Sequence, residues 1–370
     1  LEIQLPLRLG AMMVWVLVLQ WQAVLAQTPM VPPSVPPLGP LQATNADLPI
    51  AVPDLVNGEQ KQSTWLDSGH RALHGMLWRS AMSVDRWMGG NMPAYSYADQ
   101  TRGSITPVLL WDEHNGFDEK LRFRVKIPLP SVGKRFGAFI GTFTRDEFVT
   151  EREQPSGPIP HRRGNRLDDD ETLIGIQYHD WRDPDRREVR GGSFEADAGV
   201  RIKSPVDPFV KAGYQYVLEA RNGLRTVFRE TVFWQQSEQF GVTSRIDLEH
   251  MLGGYWFARW STSATISEKS EGVRGFVAAT FYRYLAERRS IGAQLFTTAE
   301  LDADVPLEEF GLRVAYRQRI ARDWLVLEVR PSVTWPKDDP GDPRKPSWGL
   351  GIGIEMFFGH DEFQGRPVTF

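Results

Sequence analysis

The sequence predicts an all-β chain, a transmembrane antiparallel up-and-down β-barrel of about fourteen strands, with about twelve as the alternative, preceded by one N-terminal amphipathic helix. Three observations predict it. Apolar residues recur at every second position from about residue 103 to 358. A secretory leader is followed by no apolar run long enough for a spanning helix. Tight turns alternate with longer polar loops along the repeating region.

The closing segment shows the periodicity most plainly. From Trp348, large apolar residues fall at Leu350, Ile352, Ile354, Met356 and Phe358, with Gly349, Gly351, Gly353, Glu355 and Phe357 between them. A strand sends successive side chains to opposite faces, so one face is greasy and the other small or polar. In Leu121 to Leu129 the apolar face is Leu121, Phe123, Val125, Ile127 and Leu129, against Arg122, Arg124 and Lys126. In Phe194 to Lys203 the polar face carries Glu195, Asp197, Gly199, Arg201 and Lys203. Segments 310–320 and 325–335 alternate likewise. Those at 136–147, 172–182, 208–219, 223–235, 240–252, 254–266, 273–285 and 290–301 are noisier, and the register of 223–235 and 273–285 stays open.

Ahead of the strands, Arg8 precedes the apolar run Ala11 to Leu19, and Val24-Leu25-Ala26 gives a small-residue exit, so 1–26 is expected to be a signal peptide. Residues 27–60 are a Pro-rich linker, with Pro29, Pro32, Pro33, Pro36, Pro37 and Pro40 favouring extended chain. Within 61–90, Leu66, Leu73, Leu77, Val84 and Met88 recur at helical spacing, widened by Trp65, Met76 and Trp87. Thr64 caps the start and Gly89-Gly90 stops it. This amphipathic helix is expected to plug the barrel or dock in the periplasm. The barrel is expected over 100–359 and a short tail over 360–370.

The whole-chain totals narrow the function classes. Hydrophobic residues make up 41% of the 370, charged residues 24%, and the net charge is −4, which excludes a disordered chain and implies no nucleic acid. Without cysteine there are no disulfides or thiolate metal sites. Strands of ten to thirteen residues suit a tilted span of lipid better than a soluble sandwich, whose strands average about five or six. Aromatic residues also gather near strand ends, at Trp234, Trp256, Trp324, Trp335, Trp348, Phe357 and Phe358, as in the girdles of membrane barrels. Turns at 131–134, 221–223, 253–254, 287–288 and 321–322 would form one rim, with the loops 148–170, 302–308 and 336–347 on the other.

The terminal Gly353-x-x-Met356-x-Phe358 is similar to the sorting signal that the outer-membrane assembly machinery reads on last strands; Gly351 stands where that pattern expects a polar residue. From about 65 to 358 the chain resembles an uncharacterised group of proteobacterial outer-membrane β-barrel proteins with an N-terminal helix. The resemblance rests on the Trp65 to Trp87 helix, Phe233-Trp234, Asp323-Trp324-Leu325 and Met356-Phe357-Phe358-Gly359. It implies fold and location in the outer membrane of a Gram-negative bacterium, with no activity attached.

About fourteen strands enclose a lumen nearer the open end of the size range. Its expected lining is Arg122, Arg124, Lys126, Arg201, Lys203, Lys211, Arg245, Arg259, Arg313, Arg317 and Arg330, offset by Asp197, Asp247, Glu249, Glu328 and Glu355. A basic surplus favours passive passage of small anionic solutes; salt-bridged ladders that stiffen the wall are the competing reading of the same charges. A structural barrel that docks a periplasmic partner through residues 27–90 is the alternative function, and a rim hydrolase a weaker one, since no GxSxG elbow is present. Lipid and the assembly machinery are the expected partners. No cofactor and no metal are expected: His70 and His74 stand one helical turn apart with no third ligand, and Asp168, Asp169, Asp170 and Glu171 lack the spacing of a calcium loop.

Overall fold

A computed structural model of the chain describes residues 102–359 apart from 130–131, 134, 154–156, 158, 161–170, 181–190, 221–222, 254 and 287. The expected signal peptide, Pro-rich linker, amphipathic helix and tail lie outside the described residues. So do His70, His74 and Asp168 to Asp170.

The described chain is a closed antiparallel barrel of 14 strands in sequence order. They are β1 (Arg102–Asp112), β2 (Gly116–Pro128), β3 (Phe136–Phe143), β4 (Glu171–His179), β5 (Gly191–Arg201), β6 (Asp207–Glu219) and β7 (Leu224–Gln235). The second half is β8 (Gln239–Leu252), β9 (Trp256–Ser267), β10 (Arg274–Ala286), β11 (Arg289–Glu300), β12 (Leu307–Arg319), β13 (Leu325–Pro336) and β14 (Ser347–Gly359). A single helical turn, α1 (Arg145–Phe148), follows β3. The expected strand 136–147 therefore stops short, and its last residues turn into α1.

Closure is made by β1 against β14, from Arg102 opposite Gly359 to Asp112 opposite Gly349. Both ends of the barrel chain thus reach the same rim, here called the turn rim. It carries the connections 129–135, 220–223, 253–255, 287–288 and 320–324; the opposite, loop rim carries 144–170, 268–273, 301–306 and 337–346. The long 180–190 connection belongs to the turn rim.

Side chains sort strictly by parity. On β14, Trp348, Leu350, Ile352 and Ile354 are exposed, while Ser347, Gly351, Gly353 and Glu355 are buried. The same outer band continues through Leu109, Leu121, Ile174, Ile176, Val210, Val232, Val242 and Leu295. Trp111, Phe117, Phe240 and Trp348 ring its loop-rim edge, and Trp256 stands at the turn rim with the Arg283 guanidinium 5.0 Å from its ring centroid. Phe357 departs from the expected girdle, because it pairs with Ser104 on the inward face. The two undecided registers resolve here. On β7 the inward set is Arg225, Val227, Arg229, Thr231, Phe233 and Gln235, and on β10 it is Arg274, Phe276, Ala278, Thr280 and Tyr282. Glu230 stands on the outer face of β7, where it accepts a 2.7 Å hydrogen bond from the Ser244 hydroxyl.

An apolar exterior around a charged interior inverts the soluble pattern, and it sets a test. Ile352→Arg places a cation in the middle of the outer band. In lipid vesicles it should lower the unfolding free energy by about 2–4 kcal/mol, read by denaturant titration. A change near zero would mean that this face meets water.

Candidate functional site: the charged lumen and the loop that crosses it

The expected rim loop begins instead as an internal one. After β3 the segment Thr144-Arg145-Asp146-Glu147 forms a capping box: the Glu147 amide donates to the Thr144 hydroxyl at 3.3 Å, and the Thr144 amide to the Glu147 carboxylate at 3.4 Å. That one turn reverses the chain into the barrel. Phe148 and Val149 then pack on an apolar patch of the inner wall made by Phe139, Leu173, Phe209 and Phe233. Inward Gly175 and Gly199 make room for this patch, since a Cβ at either would press on the ring of Phe139 or Phe209. Burying two such side chains contributes about 1.5–3 kcal/mol each.

Charges fasten the same loop. Glu151 takes hydrogen bonds from Lys211 of β6, from Arg229 of β7 at 2.9 Å and from the Thr231 hydroxyl at 3.0 Å. Lys211 also sits 3.2 Å from Asp197 and 4.3 Å from the centroid of the Phe148 ring. Glu147 receives Arg122 at 2.7 Å and Arg124 at 3.2 Å, both from β2. Asp146 and Arg152 pair within the loop at 2.7 Å. The Arg152 carbonyl accepts the Ser263 hydroxyl of β9 at 2.7 Å, and the Ile159 carbonyl accepts Arg330 of β13 at 2.6 Å. Ile159 finally packs on Val108 and Leu110 of β1. The loop therefore touches β1, β2, β6, β7, β9 and β13 as well as the β3 and β4 strands it joins. Gly157, at φ +149°, passes against Glu328 and Arg330 where a side chain would collide.

Burial alone would raise the Glu151 carboxyl, but the adjacent Lys211 and Arg229 charges outweigh it and hold it well below the usual carboxylate range. Glu147 is held low in the same way, burial being outweighed by Arg122 and Arg124.

The remaining expected lining residues fall into paired groups. Arg245 meets Asp247 at 3.0 Å, and Arg259 meets Glu249 at 2.8 Å. Arg317 meets Glu355 at 2.8 Å and Glu328 at 3.5 Å, and Arg330 meets Glu328 at 2.5 Å. Arg201 pairs with Glu171 and, at 3.3 Å, with Asp207. Lys126 stands on the inward face opposite Arg102 and Phe139. Lys203 is a correction: β5 ends at Arg201, so Lys203 lies exposed in the β5–β6 turn, 3.7 Å from Asp207. Of the sorting-signal residues, Gly353 faces inward opposite Val108 and Glu328, while Met356 and Phe358 face outward.

Arg313 differs from these arginines. It is buried on the inward face of β12 with its guanidinium 3.5 Å from the Phe296 ring centroid, no carboxylate within ion-pair distance among the described residues, and Nη1 without a hydrogen-bond partner. It lines a pocket beneath the loop rim together with Asp112, Ile159, Pro160, Glu309, Arg330, Ser332 and Thr334. Among the described residues no cluster of His, Asp and Glu is arranged to hold a metal ion. Sequence reasoning missed the inward loop and its acids. The available signals were the capping box and the apolar Phe148-Val149 inside a polar stretch.

No family model matches the chain, and no curated protein matches it. Solved structures to which it is similar include OprB of Pseudomonas putida, 10% identical, covering 70% of this chain and 94% of that one with a TM-score of 0.42. OmpT of Vibrio cholerae is 9% identical, covering 70% and 96% with a TM-score of 0.38. The KdgM porin is 7% identical, covering 68% and 98% with a TM-score of 0.33.

The lowered carboxyls give the loop a pH dependence of definite sign. Their stabilising contribution is complete above the unfolded carboxylate value of about 4.3 and is lost as pH falls from there through the lowered folded values. The unfolding midpoint in denaturant should hold from pH 7 to 5 and fall in more acid solution, and Glu151→Gln should flatten that fall. At pH 7, Glu151→Gln should also cost about 3–5 kcal/mol of stability, because Lys211 and Arg229 lose the acid between them.

Proposed function

We propose that the chain is an outer-membrane channel whose lumen, narrowed by the β3–β4 loop, passes small anionic solutes. The outer membrane is the proposed location because the exterior band is apolar and aromatic-edged, and because residues 1–26 have the pattern expected of an export signal. Sorting by the assembly machinery through Gly353, Met356 and Phe358, and membership of the proteobacterial group named above, belong to the same proposal.

The observation that carries the anion preference is Arg313. A buried guanidinium lining a pocket open to the loop rim, with Glu309 and Glu153 near it but no carboxylate at ion-pair distance among the described residues, offers its donors to a passing carboxylate or phosphate. The gross surplus of wall cations is a weaker support than it is in the sequence alone. The loop delivers Glu147 and Glu151 into the lumen, where they engage Arg122, Lys211 and Arg229. Selection thus rests on a few placed charges.

A scaffold without transport is the second reading, favoured by the density of those same ion pairs, which would also suit a sealed wall. Planar-bilayer recording separates the two. The channel reading expects discrete conductance with anion preference, and Arg313→Ala should lower the anion-to-cation permeability ratio by roughly an order of magnitude if that charge sets about 1.4 kcal/mol of the difference. Folded protein that inserts and stays silent would favour the scaffold.

A further inference from the structure

Two buried charges of opposite sign share the inward face of β12, and neither has an opposite charge at ion-pair distance among the described residues. Arg313 is 8% exposed and Glu309 is 3% exposed. They stand four residues apart on the strand, which at about 3.3 Å per residue separates their Cα atoms by roughly 13 Å. Gly311 lies midway and carries no side chain to bridge them. The Arg313 guanidinium is stacked on the Phe296 ring and is not turned to Glu309, and its Nη1 has no hydrogen-bond partner. Glu309 is hydrogen-bonded by the Thr334 side chain. A buried ion without a counter-charge is costly, and both of these line the pocket beneath the loop rim.

That pocket is polarised along its depth. β12 enters from the loop rim, so Glu309 lies near the mouth and Arg313 deeper. Asp112, at the loop-rim end of β1, adds negative charge near Glu309, and Arg330 adds positive charge near Arg313. Between the two ends β13 supplies hydroxyls, since Ser332 pairs with Arg313 and Thr334 with Gly311. On β14 the wall opposite Ser332 is bare at Gly349, where a Cβ would press on the Ser332 hydroxyl. Leu110, Ile159 and Pro160 add apolar surface. A lone anion on Arg313 would leave Glu309 uncompensated, and a lone cation on Glu309 would leave Arg313 so. A solute with one charge of each sign satisfies both and keeps the net charge of the pocket unchanged.

We propose, on the reading of Arg313 as a carboxylate-facing group given above, that this pocket binds a small aliphatic amino acid. The carboxylate sits deep, on the two-donor edge of the Arg313 guanidinium. The ammonium points to the mouth and donates to Glu309, with Asp112 adding to the negative potential there. Ser332 and Thr334 line the path between the two ends, and the hydrocarbon of the solute meets Leu110, Ile159 and Pro160. Binding of this kind needs no conduction, so it can be measured apart from the channel.

Titration calorimetry on the folded full chain in detergent at pH 7 tests this. The probes are alanine and 4-aminobutyrate, set against propionate, butyrate and butylammonium. At least one of the amino acids should bind about tenfold or more tighter than any singly charged probe. Glu309→Gln should remove that preference by weakening the amino acid and not butyrate, and Arg313→Gln should abolish binding of amino acids and carboxylates alike. Only barrels whose gel mobility shifts on boiling are scored, and Glu309→Ala replaces Glu309→Gln if the latter does not fold. Butyrate binding as tightly as 4-aminobutyrate and alanine would overturn the amino-acid assignment while leaving the anion reading of Arg313 in place. Folded protein that binds none of the probes would overturn it as well. Preferential amino-acid binding by a protein that stays silent in planar bilayers would support the pocket and count against the channel alone.

Discussion

Closure of β14 onto β1 is the constraint from which the rest of this molecule follows. With that pairing made, every strand of the described barrel has two neighbours, and the ring closes even though β2 meets β3 only over Arg124–Pro128. A closed sheet is also what a strand protein requires in hydrocarbon, where water cannot serve an open edge. Once the ring is shut, the two-residue period has only two destinations. Apolar side chains such as Leu121 and Ile352 go outside, and Arg122, Lys211 and Glu328 go in.

That inward crowd of charges creates a second requirement. Removed from bulk water, cations on neighbouring strands are tolerated only with acids close by. The wall supplies some of these itself, as Glu249 does for Arg259 and Glu355 for Arg317. The β3–β4 loop supplies others by entering the lumen. Glu151 sits where Lys211 and Arg229 converge, and Glu147 where Arg122 and Arg124 do. The loop is held by this complementarity and by Phe148 and Val149 on the Phe139–Phe209–Phe233 patch. Electrostatic balance and constriction of the lumen are therefore one feature.

Fold class and strand order were legible in the sequence because a lipid-facing wall admits few exceptions to alternation. The closing strand, expected over 348–358, spans Ser347–Gly359. Legibility failed where the interior is itself apolar. On β7, Val227 and Phe233 point inward while Glu230 points outward, so neither parity looks greasier. The site was harder. Wall arginines could be placed by counting in twos, but nothing in that count separates Arg313, which has no carboxylate at ion-pair distance among the described residues, from Arg317, which has Glu355 and Glu328. Lys203 was misplaced because alternation carries no mark of where β5 stops. The loop's inward course depends on contacts with β2, β6, β7, β9 and β13, which no local pattern encodes.

The most direct test of a lipid-facing wall around a charged lumen is a cysteine scan of β14 in liposomes. Single cysteines at positions 349 to 355 carry a small fluorophore, and quenching is compared for a lipid-borne and a water-soluble quencher. The structure predicts that 350, 352 and 354 answer to the lipid quencher and 351, 353 and 355 to the aqueous one, in strict alternation. Equal aqueous quenching at all positions would contradict it.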